Sequence, residues 1–550
     1  MSPVTTPDLS PLACYPHAVG YQAEGVCLQI KLGPYQLLLD CGITDLEPLL
    51  NQANPPDMVF CSHAHRDHAE GLLKLHRHWP EVPIFLSAAT KTLLPLNWPG
   101  AVIPENLGNI IPWRSPVAIA ENLTIQLFPA GHLPGAAAAL FTLQTPERNY
   151  SLFYTGDFAV SHFQLVNGLS IEALRGLQPD VLILEGSYGT MRHPHRRQQE
   201  KYLTQRILEA LEVGQSVILP VPRLGLGQEI LKLLRSHHQF TGKKVDIWVE
   251  GQVARGCDLY LELLAELPNP VQNFARHQAL FWDDRVYPRM HRLAPGEYPD
   301  LTAGNHVIIT DYANDFAKYC EGSSSPCLLL LPEHPGVWLN FDTPPLAAIA
   351  PQKNVQIETY LLAEHSDGRN TTQLIHNLRP QHVVFFHGSP QDLEDLTALE
   401  ELQSRYQLHC PAPGKWVDLP IGATFLQPQG PEQTEYEGEI NEVGTWITIS
   451  LPNGLAEDPR WQTFADTGLV EARWQGEELV LRGIHERELL RHNMDAQRFE
   501  HLDCCFNCCF QKGLRCHQPK SPLYRFKVTP EGYCPEFRAI AKTDELIQES

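Results

Sequence analysis

Apolar positions along the chain fall in short blocks that predict strands, separated by polar or helix-like stretches. VCLQIKL and YQLLLD, at about 26–40, flank Gly33-Pro34 and read as strand, turn and strand, so a hairpin opens the fold. MVFCS, VPIFLS, LTIQLFP, AALFTL and SLFYTG follow as further short strands. VLILEG (181–186) reads as a buried strand, RRQQEKYLTQRILEALEVG as an amphipathic helix ending at Gly214, and SVILPV as the next strand. Strand and helix then alternate to about residue 350, and VVFFHG (383–388) is a late apolar strand. This pattern predicts an α/β fold. LPIGATFLQPQGPEQTEYEGE (419–439) reads as a linker. Beyond it GTWITISL and ELVLRG predict a small strand-bearing module, and HERELLRHNMDAQRFEHL predicts a helix.

With 550 residues the chain exceeds what one hydrophobic core holds, so roughly three or four structural units are expected. No apolar run approaches the roughly 18 positions needed to span a bilayer. The opening segment is neither basic nor continuously apolar, which predicts no secretion signal and a cytoplasmic location. Fourteen cysteines include six between Cys504 and Cys534, a distribution that suits reduced thiols with one local metal cluster. The formal net charge of −22 opposes long-range attraction of a polyphosphate. It leaves a nucleic-acid substrate open, because bound cations supply local positive charge that a residue count omits. Arg192, Arg196 and Arg197 cluster after the strand at 181–186, and composition favours a solvated helix face for them.

The strongest chemical signal is His63-Ala64-His65-Arg66-Asp67-His68, directly after MVFCS. Three imidazoles and a carboxylate in six residues cannot be buried without partners, and a metal is the economical partner. Imidazole and carboxylate suit zinc, and the alternation of His63 and His65 with Asp67 and His68 aims two pairs at two neighbouring positions. His132, in Ala130-Gly131-His132-Leu133-Pro134-Gly135, and Asp157, in Tyr154-Thr155-Gly156-Asp157, stand at strand ends where loops can aim them inward.

Taken in order, these residues resemble the metallo-β-lactamase superfamily. Its pattern is an Asp at a strand end, His-x-His-x-Asp-His, His and Asp, here Asp40, the 63–68 segment, His132 and Asp157. Glu185 in LEGSYGTMRHPHR, His365 in AEHSDGRN and His387 in VVFFHGS resemble the three further motifs of the β-CASP branch. That group processes nucleic acids and includes ribonuclease J and the polyadenylation-factor endonuclease. The resemblance covers about 20–425.

The resemblance implies an αββα sandwich from 1–190 and 351–425, a β-CASP domain at 191–350, and an active site in the cleft between them. A module at 426–503 and a Cys-rich segment at 504–550 would follow. It also implies that one zinc ion takes His63, His65 and His132, that the other takes Asp67, His68 and His387, and that Asp157 bridges. Asp40 would hold a ligand histidine through its free ring nitrogen. The implied activity is hydrolysis of phosphodiester bonds, in RNA before DNA, with His365 as general acid oriented by Glu185, Asp67 in the catalytic centre, and Arg223 as a phosphate contact. One departure from the family lies at 332–336, where Pro-Glu-His-Pro-Gly replaces a Ser-Gly-Met, glycine-rich loop.

A hydrolase of a small ester or thioester would use the same metals without needing Glu185, His365 and the long insertion. A non-catalytic scaffold of a processing complex is the other alternative, although such relatives tend to lose ligands. An oxygen-reducing di-iron relative normally has Glu where this chain has His65, which favours zinc. At the C-terminus, Cys505, Cys508, Cys516 and Cys534 read as four ligands for one zinc ion or one [4Fe–4S] cluster. No membrane partner is expected, and a homodimer is the oligomeric expectation.

Overall fold

A computed structural model describes residues 10–422, apart from 22–23, 53, 295, 298, 300–305, 313, 320–325, 334–345 and 350–353. Beyond 422 it describes 439–443, 446–450, 469–475, 478–484, 508–512, 515–519 and 537–538. The chain divides into two compact units, Met1–Gly430 and Pro431–Ser550.

The larger unit is built on three sheets. The first contains β1 (Leu12–Val19), β2 (Val26–Leu32), β3 (Tyr35–Leu39), β4 (Met58–Phe60), β5 (Ile84–Leu86) and β6 (Asn109–Ile110). The second contains β7 (Val117–Ala120), β8 (Leu123–Pro129), β9 (Ala137–Gln144), β10 (Asn149–Tyr154) and β11 (Val181–Glu185). The third is formed by β12 (Ser216–Val221), β13 (Asp246–Glu250), β14 (Arg289–Leu293), β15 (His306–Asp311), β16 (Cys327–Pro332) and β17 (Val355–Tyr360). The chain then returns, adding β18 (His382–Phe386) and β19 (Gln407–His409) to the second sheet and β20 (Val417–Asp418) to the first.

The predicted hairpin around Gly33 is present, with Leu32 paired to Tyr35. It does not open the fold, because β1 precedes it and pairs antiparallel with β2. Pro11 and Pro16 near this strand masked its apolar alternation.

Period-two alternation explains the layering. Phe60, Tyr154, Ile183 and Phe386 face one shared core between the first two sheets. Their neighbours Val59, Phe153, Leu182 and Phe385 face outward, into the core that includes Leu72, Leu75 and Leu374 of the covering helices. The result is two sheets packed face to face with helices outside. The third sheet, in the order β14-β13-β15-β12-β16-β17, is parallel throughout. Strands buried on both faces suit its continuous apolar runs, such as Leu328 to Leu331. In the predicted helix Arg196–Glu212, Leu203, Ile207, Leu208 and Leu211 are buried at helical spacing.

In the smaller unit the described strands form three antiparallel pairs, including Trp446–Ser450 and Glu478–Ile484 where strands were expected. The helix expected at 485–502 lies outside the described residues. No helix among the described residues is long and apolar enough to cross a membrane.

Candidate active site

The side chains singled out by the 63–68 motif and its downstream companions stand at strand ends. Asp40 follows β3, residues 63–68 follow β4, His132 follows β8, Asp157 follows β10, Glu185 ends β11 and His387 follows β18. Asp40 and His387 both adopt left-handed backbone, φ 57° and 52°, uncommon for non-glycine residues. Gly131, φ 80°, lets the loop before His132 pass within the space a Cβ would need, 2.3 Å from the Ala159 carbonyl.

His63, His65, His132 and Asp157 present ligand atoms within 4.8 Å of one another, and so do Asp67, His68 and His387. Asp157 sits between the two groups. Its Oδ2 lies 3.6 Å from His63 Nε2, 3.3 Å from His68 Nε2, and 3.7 Å from Nε2 of both His132 and His387.

Hydrogen bonds on the far side of each ring define which nitrogen faces this centre. Asp40 Oδ2 lies 2.7 Å from His68 Nδ1 and accepts the hydroxyls of Ser62 at 2.7 Å and Tyr154 at 2.6 Å. Because the Ser62 hydroxyl donates to Asp40, it accepts from His63 Nδ1 at 3.0 Å. Glu364 O accepts from His132 Nδ1 at 2.8 Å, and Leu224 O from His65 Nε2 at 3.3 Å. Ser187 Oγ donates to Glu185 and so accepts from His387 Nδ1 at 2.8 Å. Four rings thus turn Nε2 inward, and His65 turns Nδ1.

His63 Nε2, His68 Nε2 and Asp157 Oδ1 are buried without a hydrogen-bond partner. Leaving three such atoms unpaired in one place is costly, and a shared cation satisfies all of them. This buried His/Asp cluster has the donor set and orientation of a metal site.

Burial and neighbouring imidazoles push His63 and His132 well below the ordinary imidazole range, so both rings are neutral. At His68 burial acts the same way but is outweighed by Asp157, Asp40 and Asp67, and its pKa is raised well above the usual value.

His365 lies beside the cluster, its Nδ1 3.1 Å from Glu185 Oε1 and 3.9 Å from Asp157 Oδ2. Burial disfavours its charge, yet Glu185 and then Asp157 outweigh it and push the imidazole up to about 9. Glu185 is itself held by the backbone N–H groups of Phe158 and Ser187, each at 3.1 Å. A cavity of about 310 Å³ opens over these groups, lined also by Arg66, Arg223, Asp311 and Tyr312. Arg223 Nε donates to Asp311 Oδ2 at 2.7 Å, which fixes the direction of its guanidinium fork.

Arg196 is not on a solvated helix face. Its side chain is 7% exposed and donates to Ala363 O at 2.7 Å, with Glu200 and Glu229 at 3.4 and 3.7 Å. The apolar face of its helix turns inward and carries it along.

Sequence reasoning missed Ser62, Tyr154, Ser187, Glu364 and the Leu224 carbonyl. Ser187 stands two residues after Glu185, and Ser62 directly before His63, so adjacency to the motifs was the available signal. A backbone carbonyl leaves none. Cys508 and Cys516 are buried free thiols, whereas Cys505 and Cys534 lie outside the described residues. Of the segment 332–336, residues 334–336 lie outside them as well.

Residues 35–217 match the family model described as the beta-lactamase superfamily domain. The chain is 50% identical over 545 residues to "Uncharacterized protein sll0514" of Synechocystis, covering 96% of this chain and 97% of that one. It is 31% identical over 234 residues to "Probable RNase MJ4" of Methanocaldococcus jannaschii, covering 38% and 54%. It is 21% identical over 454 residues to "Integrator complex subunit 11" of Danio rerio, covering 74% and 73%. Two facing sheets, a histidine and aspartate cluster at their strand ends and these matches agree, and the chain belongs to the metallo-β-lactamase superfamily, with β-CASP proteins among its relatives.

Proposed function

We propose that this protein is a metal-dependent nuclease that hydrolyses phosphodiester bonds in RNA. The observation that carries this reading is the Glu185–His365 pair, 3.1 Å apart, standing beside a cluster whose ligand atoms converge on Asp157. A thioester expels a stable thiolate and needs no separately held imidazolium, whereas the alkoxide expelled from a phosphodiester gains from one. The relative named as a probable RNase supports the choice of RNA.

His63, His65 and His132 would hold one zinc ion, Asp67, His68 and His387 a second, and Asp157 both. Bound there, the ions supply Lewis acidity and lower the pKa of water. The chain's own residues do the rest. Asp40, Ser62 and Ser187 fix the ligand rings, and Asp67 and Asp157 supply the negative charge that balances the cations. His365 donates a proton to the leaving oxygen while Glu185 holds its other nitrogen. Arg223, steadied by Asp311, orients a non-bridging phosphate oxygen.

Purified protein incubated with end-labelled RNA and DNA of matched sequence tests the reading. Cleavage of RNA supports it; inert RNA and DNA beside rapid hydrolysis of a small ester or thioester overturns it. In the same assay Arg223→Ala should raise KM by roughly 10–150-fold with a smaller change in kcat, the scale of one charge-assisted contact of about 1.5–3 kcal/mol. An unchanged KM removes Arg223 from the phosphate site.

In the smaller unit, Cys505, Cys508, Cys516 and Cys534 are proposed to bind one zinc ion or one [4Fe–4S] cluster. Cys508 and Cys516 are both buried, and Cys516 ends a strand paired with Gln511–Lys512. Replacing all four by serine should remove one metal centre per chain and leave the active-site metals in place. A brown protein absorbing near about 400 nm before the change identifies iron, a colourless one zinc. Metal content unaffected by the four substitutions refutes the assignment.

A further inference from the structure

The five ligand imidazoles are not supported alike. His63, His68 and His387 lean on Ser62, Asp40 and Ser187, which belong to the first two sheets and their loops. His65 and His132 lean instead on carbonyls at the C-terminal edge of the third sheet. Leu224 O comes from the turn after β12, and Glu364 O from the loop after β17.

We infer that these two third-sheet loops are the positioning elements of one ligand group, so that the metal at His63, His65 and His132 is held tightly only while the third sheet is closed over the sandwich. The group of Asp67, His68 and His387 has no such dependence. This inference rests on the two-metal reading and adds to it a coupling between closure and metal affinity at one of the two positions.

The turn at 222–225 is built to hold its carbonyl still. Gly225 has φ 90° and ψ −100°, a conformation other residues rarely adopt. A Cβ there would meet Glu364 Oε1 at 2.7 Å and His65 Nε2 at 3.5 Å. Behind the turn, Gln228 Nε2 donates to Arg223 O at 3.1 Å and Val253 O at 3.0 Å. The Glu364 carboxyl packs against the same turn, its Oε1 2.7 Å from where a Gly225 Cβ would stand, just before the helix Leu226–Ser236. Glu364 therefore joins the two loops, its backbone carbonyl on His132 and its side chain against Gly225. Arg196 braces the same loop through Ala363 O.

Hydrogen bonds to the outer nitrogen of a ligand histidine set its tautomer and orientation, and their loss typically lowers metal affinity by about 10–100-fold. By reciprocity, metal at this position favours the closed arrangement by the same factor.

Two variants separate this from a general effect on folding. Gly225→Ala displaces Leu224 O, and Glu364→Ala cuts the tie between the loops while leaving its backbone carbonyl in place. In each, titration with Co²⁺ against a chelator should show one site weakened about 10–100-fold and the other within about threefold of wild type. The visible absorption of the weakened site should change as the His65 ring loses its anchor. In wild-type protein stripped of metal, adding zinc should slow hydrogen exchange in peptides spanning 222–229. Variants that keep the wild-type circular dichroism and both affinities overturn the inference while leaving the two-metal reading intact; so does exchange at 222–229 that ignores zinc. Wild-type protein that takes up no metal overturns both.

Discussion

Replacing Asp157 by alanine is expected to reduce hydrolysis to the background rate while the protein stays folded. Asp157 Oδ2 lies within 3.7 Å of four imidazole nitrogens drawn from both ligand groups. It is the one described carboxylate so placed, and the substitution removes charge and a ligand atom from both positions at once. Burial would raise its pKa, but His387 and His68 outweigh burial and hold it well below the usual carboxylate range, so it stays charged at neutral pH.

The effect on stability differs with metal content. In the metal-free protein alanine removes the partnerless Oδ1 but also the charge that pairs with His68 and His387, so the variant should be destabilised there too. Metal binding to the native state stabilises wild type by roughly 2.7 kcal/mol when free metal is 100 times its dissociation constant. The variant should lose most of that increment. Melting temperatures with and without zinc, beside elemental analysis giving about two zinc equivalents at this site in wild type, check the prediction. A variant that retains both metals and full activity sinks it.

How far the site could be read from the chain depended on the kind of group. Residues 63–68 concentrate ligands in one loop, so their chemistry is local and legible. His132, Asp157 and His387 are each single residues whose meaning came from their order along the chain and from the strand before them, because the fold alone brings them together. The strands at 181–186 and 383–388 were legible because buried strands leave uninterrupted apolar blocks, and the hairpin at 26–40 because Gly33-Pro34 marks a turn between two apolar runs. β1 was not, since prolines break its pattern. Asp40, which meets His68 Nδ1, was legible through the resemblance; the groups behind the other rings were not. Leu224 and Glu364 act on His65 and His132 through backbone oxygens, which any residue has. Arg196 was misread for a related reason: a charge count cannot tell an arginine in solvent from a buried one that donates to a carbonyl and to Glu200, with Glu229 3.7 Å away.

The second large effect concerns His365. His365→Ala is expected to slow cleavage by roughly 10²–10⁴-fold, the usual scale for loss of a general acid, with metal content unchanged. His365 Nδ1 is committed to Glu185, so Nε2 is the nitrogen left for a substrate oxygen. Its pKa, pushed up to about 9 by Glu185 and Asp157 against burial, keeps it protonated at pH 7. The protonated form is the active one, so wild-type kcat should hold through neutrality and fall as pH rises through the imidazole's pKa. Cations at the cluster repel an imidazolium, which places that limb at or below about 9. In His365→Ala the limb should vanish. Glu185→Gln removes the attraction that raises the pKa and should move the limb to lower pH with the imidazole still in place. A phosphodiester with a p-nitrophenolate leaving group needs little protonation, and on it the alanine variant should recover much of the lost rate. Loss of metal on this substitution would make His365 a ligand, and equal deficits on both substrates would remove it as the proton donor.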